Sequence, residues 1–156
     1  MGLRQDILSD PVSVLELRQL IAVKPGTTVR SAIKLMHQHR LGCVVVVDDN
    51  NQPMGKFSER LLIKLLVTDP GALDQDISEH MASTWAIVKQ SDPIAKVIEC
   101  MEADKLRFVV VVDEHGHPVG ITGQKGVMEY IAEHFPRQVK VQETEAKLYM
   151  DQREGA

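Results

Sequence analysis

The stretch that decides the fold reads Val44-Val45-Val46-Val47-Asp48, and it is repeated as Val109-Val110-Val111-Val112-Asp113. Four consecutive β-branched residues favour a strand. Because the apolar residues are continuous and do not alternate with polar ones, each run predicts a central strand covered on both faces. The segments that follow, 48–52 and 113–117, are rich in Asp, Asn, Gly and His and predict turns.

The two valine runs belong to a longer internal repeat, in which equivalent positions are 65 residues apart. Met36 before the first run, for example, matches Met101 before the second. A repeat of this kind fixes the architecture before any single motif is weighed. We predict one unit at 14–68 and a second at 77–135, separated by a turn at 69–71.

Each unit is predicted to contain a strand, a helix, two further strands and a closing helix. The first helix has apolar residues at i, i+3, i+4 and i+7, which form one buried stripe. Thr27 in the first unit, and Asp92 with Pro93 in the second, are predicted to cap these helices. The predicted strands are 20–24, 44–47, 53–57, 85–89, 109–112 and 118–122.

A unit of this size, about 55 residues, buries too little apolar surface to be stable alone. We therefore predict an α+β fold in which two βαββα units pack face to face through their sheets. The chain of 156 residues, 44% of them hydrophobic, is long enough for such a shared core.

Composition excludes several classes of function. The net charge of −4, the 4% aromatic content and the lack of a Lys/Arg cluster argue against nucleic-acid binding. No apolar stretch has the length of a membrane span or of a signal-peptide core, so a cytoplasmic protein without membrane contact is expected. Cys43 and Cys100 lie within apolar stretches and are predicted to be buried thiols.

Neither a metal site nor an active site is predicted. His37 and His39 lie two apart on a helix, so their side chains cannot converge on one ion. His115 and His117 lack the partners of a zinc site and predict a surface turn. The chain has no P-loop, dinucleotide fingerprint, nucleophile elbow or zinc-hydrolase helix, so we expect no enzyme and no cofactor.

The repeated pattern of apolar helix, valine strand, short turn and closing helix resembles CBS domains, which pair within a chain to form a Bateman module. The resemblance covers nearly the whole chain. It implies a regulatory module that binds an adenine nucleotide (AMP, ADP or ATP) or another adenosyl ligand between the units. It also implies a homodimer that acts on a regulated partner protein.

The resemblance implies candidate ligand-binding residues near the start of each closing helix. The family motif is a Gly, two apolar residues, a Ser or Thr, two further residues and an Asp. This chain departs from it, with Leu61 and Gly126 at the Asp positions and Gly123 at the second hydroxyl position. The candidates are Gly55, Lys56, Ser58 and Arg60 in the first unit and Gly120, Thr122 and Lys125 in the second.

Only the first unit keeps the motif hydroxyl, so the sequence favours a site built on Ser58 and Arg60. Ser58 would cap a helix whose N-terminus attracts an anion, and Arg60 would bind phosphate. Three alternatives stay open: Ser58 acts as a cap only, Thr122 and Lys125 form a second and weaker site, or the pair has lost its ligand and serves as a dimerisation or docking module. The charged tail, 137–156, is either frayed or a docking segment.

Overall fold

The computed structural model describes residues 2–82, 84–104 and 106–134. The predicted tail at 137–156 lies outside the described residues. The helices are α1 (Leu3–Ser9), α2 (Val29–His39), α3 (Glu59–Thr68), α4 (Ile94–Asp104) and α5 (Gln124–His134). The strands are β1 (Ala22–Val23), β2 (Cys43–Val47), β3 (Pro53–Ser58), β4 (Ile87–Lys89), β5 (Phe108–Val112) and β6 (Pro118–Gly123).

The strands form two sheets with the same topology, which confirms the α+β prediction. In each sheet the valine strand is central: the order is β1-β2-β3 in one and β4-β5-β6 in the other. The first pair of each sheet is parallel and the second antiparallel. Both antiparallel pairs have an irregularity at the last valine, Val47 or Val112, so the repeat extends to this detail.

The valines of β5 show why a continuous apolar run is needed. Val109 and Val111 pack in a core with the helices of the second unit, whereas Val110 and Val112 pack in the core of the first. Side chains alternate across a strand, so one face of β5 covers its own helices and the other meets the opposite unit. The two units therefore pack face to face through their sheets, as the sequence predicts.

The turns after the valine strands form as predicted. The Oδ1 atom of Asp48 accepts hydrogen bonds from the backbone of Asn50 and Gln52, both at 2.8 Å. Asp113 does the same in the second unit. Positive φ falls at equivalent positions, 58° at Asn51 and 82° at Gly116, and these residue types tolerate that conformation best.

The helix starts differ slightly from the prediction. Thr28, not Thr27, is the N-cap of α2, and its side chain accepts a hydrogen bond from the Ser31 N–H. The two threonines are adjacent, and the sequence pattern cannot separate positions one residue apart. In the second unit Asp92 instead accepts a hydrogen bond from the Lys89 N–H, and α4 begins just after Pro93.

The N-terminal segment packs on the second unit, although it precedes the first in sequence. Val12, which is fully buried, and Leu15 belong to the second core. Arg18 and Ile121 of β6 exchange two backbone hydrogen bonds, at 2.9 and 3.1 Å. The Tyr130 hydroxyl donates to Asp10 at 2.6 Å, and burial next to this carboxylate raises the pKa of Tyr130 to about 12.

The segment between the repeats packs in the reciprocal way, on the first unit. Helix α3 ends at Thr68, as the turn at 69–71 predicts, and short 3₁₀ turns follow. Ala72 and Ile77 are fully buried in the first core. Ala82 pairs with Lys56 of β3 as Arg18 pairs with Ile121. Each core thus uses a segment that precedes the other unit, and the boundaries 14–68 and 77–135 stay predictions.

Truncation of Ile77 tests whether this connecting segment is part of the core. Ile77→Ala removes a fully buried side chain, so the free energy of unfolding should fall by about 2–5 kcal/mol. Leu8→Ala, at a site in α1 that is 58% exposed, should change it by about 0.5 kcal/mol or less. Urea denaturation measures both. Equal effects would show that 70–82 is only a linker.

Candidate functional site

A cleft of about 1030 Å³ lies at the N-terminal end of α5, where segments from both units meet. The N-terminal segment, the end of α2, one face of α4, the start of β5 and the first turn of α5 form its walls. Its lining residues are Glu16, Leu17, Arg18, Gln19, His39, Arg40, Leu41, Ile98, Met101, Glu102, Leu106, Arg107, Phe108, Thr122, Gly123, Gln124, Lys125, Gly126 and Glu129. We call it the second cleft.

The floor of the second cleft depends on two glycines. A Cβ at Gly123 would collide with the backbone carbonyl oxygen of Arg107. A Cβ at Gly126 would lie 2.6 Å from the Thr122 hydroxyl, which is closer than real contacts allow. At both departures from the family motif, glycine therefore permits close packing that a side chain would disrupt: Gly123 against the backbone of Arg107, and Gly126 against Thr122.

The rim of the second cleft is charged. Four basic residues line it together with the acidic residues Glu16, Glu102 and Glu129. The Arg107 guanidinium lies 5.7 Å from the centroid of the Phe108 ring, a cation–π distance. The basic residues, all exposed, are Arg18, Arg40, Arg107 and Lys125.

At the equivalent positions of the first unit the space is filled. Phe57 occupies the position of Thr122 and is fully buried, and Leu61, at the position of Gly126, packs against the same core. What remains is a smaller cleft of about 660 Å³. It is lined by Ile33, Met36, His37, Gln38, Arg40, Leu41, Glu59 and Leu62.

The candidates of the first unit lie outside the two clefts. Ser58 caps α3, since its Oγ accepts from the Leu61 N–H at 3.4 Å, and Arg60 is exposed. Neither residue lines the two clefts described above. Gly55 is buried where Met81 leaves no room for a Cβ.

Lys56 lies inside the protein and not in a ligand cleft. It is 6% exposed, and its Nζ donates to the backbone carbonyl of Phe108 at 2.9 Å, which joins the two units. Burial lowers the pKa of its ammonium group, while burial raises the pKa of the neighbouring Cys43 thiol to about 11.

Two of the three candidates in the second unit line the cleft. Thr122 lies in its wall and Lys125 at its rim, where Nζ is 3.6 Å from a Glu129 carboxylate oxygen. Gly120 instead lets the backbone of Arg18 approach β6. The motif could not reveal Arg18, Arg40 and Arg107, because they come from segments far from it in sequence.

The two histidine pairs lie on a helix surface and in a turn. His37 and His39 are exposed on α2, and His115 and His117 donate backbone N–H groups to Asp113 within a turn. Among the described residues, no group of three or more potential ligands could hold a metal ion. Within the same residues, no helix reaches the length and hydropathy that crossing a bilayer requires.

Comparison with known proteins identifies the family. The model of the CBS domain matches this chain twice, over residues 6–68 and 76–133. The chain belongs to the CBS-domain family. This CBS pair is 25% identical, over 73% of its length, to an uncharacterized 17.7 kDa protein of Acidianus ambivalens, of which it spans 68%. It spans 62% of protein MK0525 of Methanopyrus kandleri, at 27% identity over 76% of its own length.

Solved structures share the fold of this CBS pair. The CBS domain protein PAE2072 from Pyrobaculum aerophilum, complexed with AMP, superposes with a TM-score of 0.67 at 24% identity, covering 74% of this chain and 88% of that one. The CBS domain pair of protein MJ0100, in complex with 5′-methylthioadenosine and S-adenosyl-L-methionine, superposes with a TM-score of 0.70 at 18% identity. The match covers 80% of this chain and 97% of that one.

The interior position of Lys56 predicts a pH dependence of stability. Its pKa in the folded CBS pair lies below the unfolded value of 10.5, so above the folded pKa the unfolded chain binds more protons and stability rises with pH. Lys56→Met lacks this term. The stability of the parent relative to Lys56→Met should therefore increase as the pH approaches 10.

Urea denaturation of both proteins at several pH values from 7 to 10 measures this difference. Lys64→Met, at an exposed position of α3, is the control and should show a difference that does not depend on pH. A constant difference for Lys56→Met as well would mean that the Lys56 ammonium titrates as it does in water.

Proposed function

We propose that this CBS pair is a regulatory module, without catalysis of its own, that binds one adenine nucleotide or related adenosyl compound per chain in the second cleft. The observation that carries the proposal is the contrast between the clefts. The second cleft, about 1030 Å³, is lined by the small residues Thr122, Gly123 and Gly126, whereas the first unit has the bulky core residues Phe57 and Leu61 at two of these positions and a cleft of about 660 Å³.

The chemistry of the second cleft suits such a ligand. Thr122, Gly123 and Gly126 in its wall are uncharged, and the four basic residues at its rim, which lie there with three glutamates, can bind a phosphate. The apolar side chains of Leu17, Met101 and Phe108 offer surfaces for a purine ring. The complexes of PAE2072 with AMP and of MJ0100 with adenosyl compounds support this choice of ligand class.

This proposal reverses the order that the sequence favours, in which Ser58 and Arg60 bind the phosphate. The motif alone does not show whether the space beside it is filled. The competing function, a dimerisation or docking module without ligand, is an outcome of the binding test below.

Ligand binding is tested with AMP, ADP, ATP, 5′-methylthioadenosine and S-adenosylmethionine, with GMP and CMP as controls. A ligand at a hundred times its Kd adds about 2.7 kcal/mol, which raises the Tm by roughly 5–10 °C. Calorimetric titration should give one site per chain. No shift with any adenine compound at millimolar concentration would favour the docking module.

Matched variants locate the site within that test. Lys125→Ala removes a cation from the rim of the second cleft and should weaken AMP roughly tenfold. Arg60→Ala, which removes an exposed cation outside both clefts, should bind as the parent does. The opposite result would place the ligand in the first unit.

We further propose that the module acts as a homodimer through α3 and α5. Ile63 (65% exposed), Val67 (80%) and Met128 (56%) leave apolar surface on these helices. Ile63 and Met128 are equivalent in the repeat, so the two helices can meet their counterparts in a second copy. Apolar surface concentrated in this way is typical of protein interfaces.

A charge on this face should dissociate the dimer. Ile63→Glu would bury an unpaired carboxylate at the interface, so the variant should sediment as a monomer at concentrations where the parent is a dimer. Leu8→Glu, at an equally exposed apolar site on α1, should leave the dimer intact. A parent that sediments as a monomer at all concentrations would refute the dimer.

A further inference from the structure

The wall of the second cleft contains an unsatisfied polar group. Thr122 is 2% exposed, and its Oγ1 is the buried side-chain atom without a hydrogen-bond partner in the described part of the chain. Burying a hydroxyl without a partner costs about 1–3 kcal/mol. Such a group in a native structure needs an explanation, and Thr122 lines a cleft.

The surroundings of this hydroxyl are specific to the second unit. At the equivalent position Phe57 is fully buried in β3, and Leu61, in the first turn of α3, takes the position of Gly126. Where the first unit has this apolar pair, the second unit has the hydroxyl of Thr122 and a glycine, Gly126. The absent side chain at Gly126 would start 2.6 Å from Oγ1, so no side chain at position 126 covers the hydroxyl.

The residues that line the second cleft differ in exposure and charge between its wall and its rim. Thr122 is buried and uncharged, whereas the rim has four exposed cationic residues, Arg18, Arg40, Arg107 and Lys125, together with three glutamates. A ligand with one anionic and one uncharged end therefore binds with its anion at the rim. The uncharged end then lies beside Gly126, next to the Thr122 hydroxyl.

We propose that the Thr122 hydroxyl is the hydrogen-bonding group that recognises the uncharged adenosine end of the ligand, an inference that rests on the proposed function. Contact requires either a rotation about the Cα–Cβ bond of Thr122 or a small opening of the first turn of α5. Neither movement meets a side chain at position 126. The hydroxyl, unpaired without ligand, is satisfied when ligand binds, so it contributes to affinity and not to the stability of the free protein.

Thr122→Val removes this hydroxyl and keeps the shape of the side chain. Without ligand, the Tm should equal or exceed that of the parent, because an unsatisfied buried group is removed. The Kd for AMP and the Kd for 5′-methylthioadenosine, measured by calorimetry, should both rise roughly five- to twentyfold, because the two compounds share the adenosine end. Thr122→Ser keeps the hydroxyl and should bind both within about twofold of the parent.

Each other outcome overturns the proposal in a recognisable way. Unchanged affinity of Thr122→Val for both compounds would show that the hydroxyl does not touch the ligand. Weaker binding of AMP alone would place the hydroxyl at the phosphate. A lower Tm of ligand-free Thr122→Val would show that the hydroxyl has a structural partner. A parent that binds neither compound would refute the proposed function itself, and this inference with it.

Discussion

Burial of the two valine strands on both faces is the constraint on which the rest of this structure depends. A strand that is apolar on both sides needs a layer on each side, and one βαββα unit supplies only its own helices. The second layer comes from the other unit, as the alternation of Val109 to Val112 between the two cores shows. Neither sheet is complete without its partner, which explains why the chain repeats the unit.

The same constraint explains the exchange of segments between the units. The outer edges of β3 and β6 are covered by Ala82 and Arg18, each of which precedes the first strand of the opposite unit in sequence. An uncovered edge would leave backbone donors and acceptors without partners. Because the segment ending at Gln19 crosses to β6, its residues also become a wall of the second cleft. The cleft is thus a consequence of how the chain closes its sheets.

Much of the fold can be predicted from the sequence, because each helix, strand and turn has a characteristic pattern of neighbouring residues. Both valine strands, the Asp turns and the stripe on α2 form within one or two residues of their predicted positions. The sequence predicts the cap of α2 one residue early, at Thr27 and not Thr28, because both residues offer the same hydroxyl. These features depend on neighbours in the chain, so a single sequence contains the information needed to place them.

The ligand site is harder to predict from the sequence, because a cleft forms only where the packed side chains leave space. The motif marks equivalent positions in both units, but the side chains at 57 and 61 decide whether space exists, and their direction follows only from the packed sheet. Lys56 shows the same limit. A lysine beside a motif Gly suggests a phosphate ligand, yet its position on β3 points it between the units, where it binds the Phe108 carbonyl.

The crossing of the N-terminal segment has a mechanical consequence. Backbone hydrogen bonds tie Val12, Ser13 and Arg18 to the second unit, so tension applied at α1 reaches β6 and α4 before it reaches β1. Force applied at α1 therefore reaches the second unit first, although the first unit comes earlier in the sequence. Any element attached ahead of α1 pulls directly on a wall of the second cleft, while the first unit is loaded only through the sheet interface.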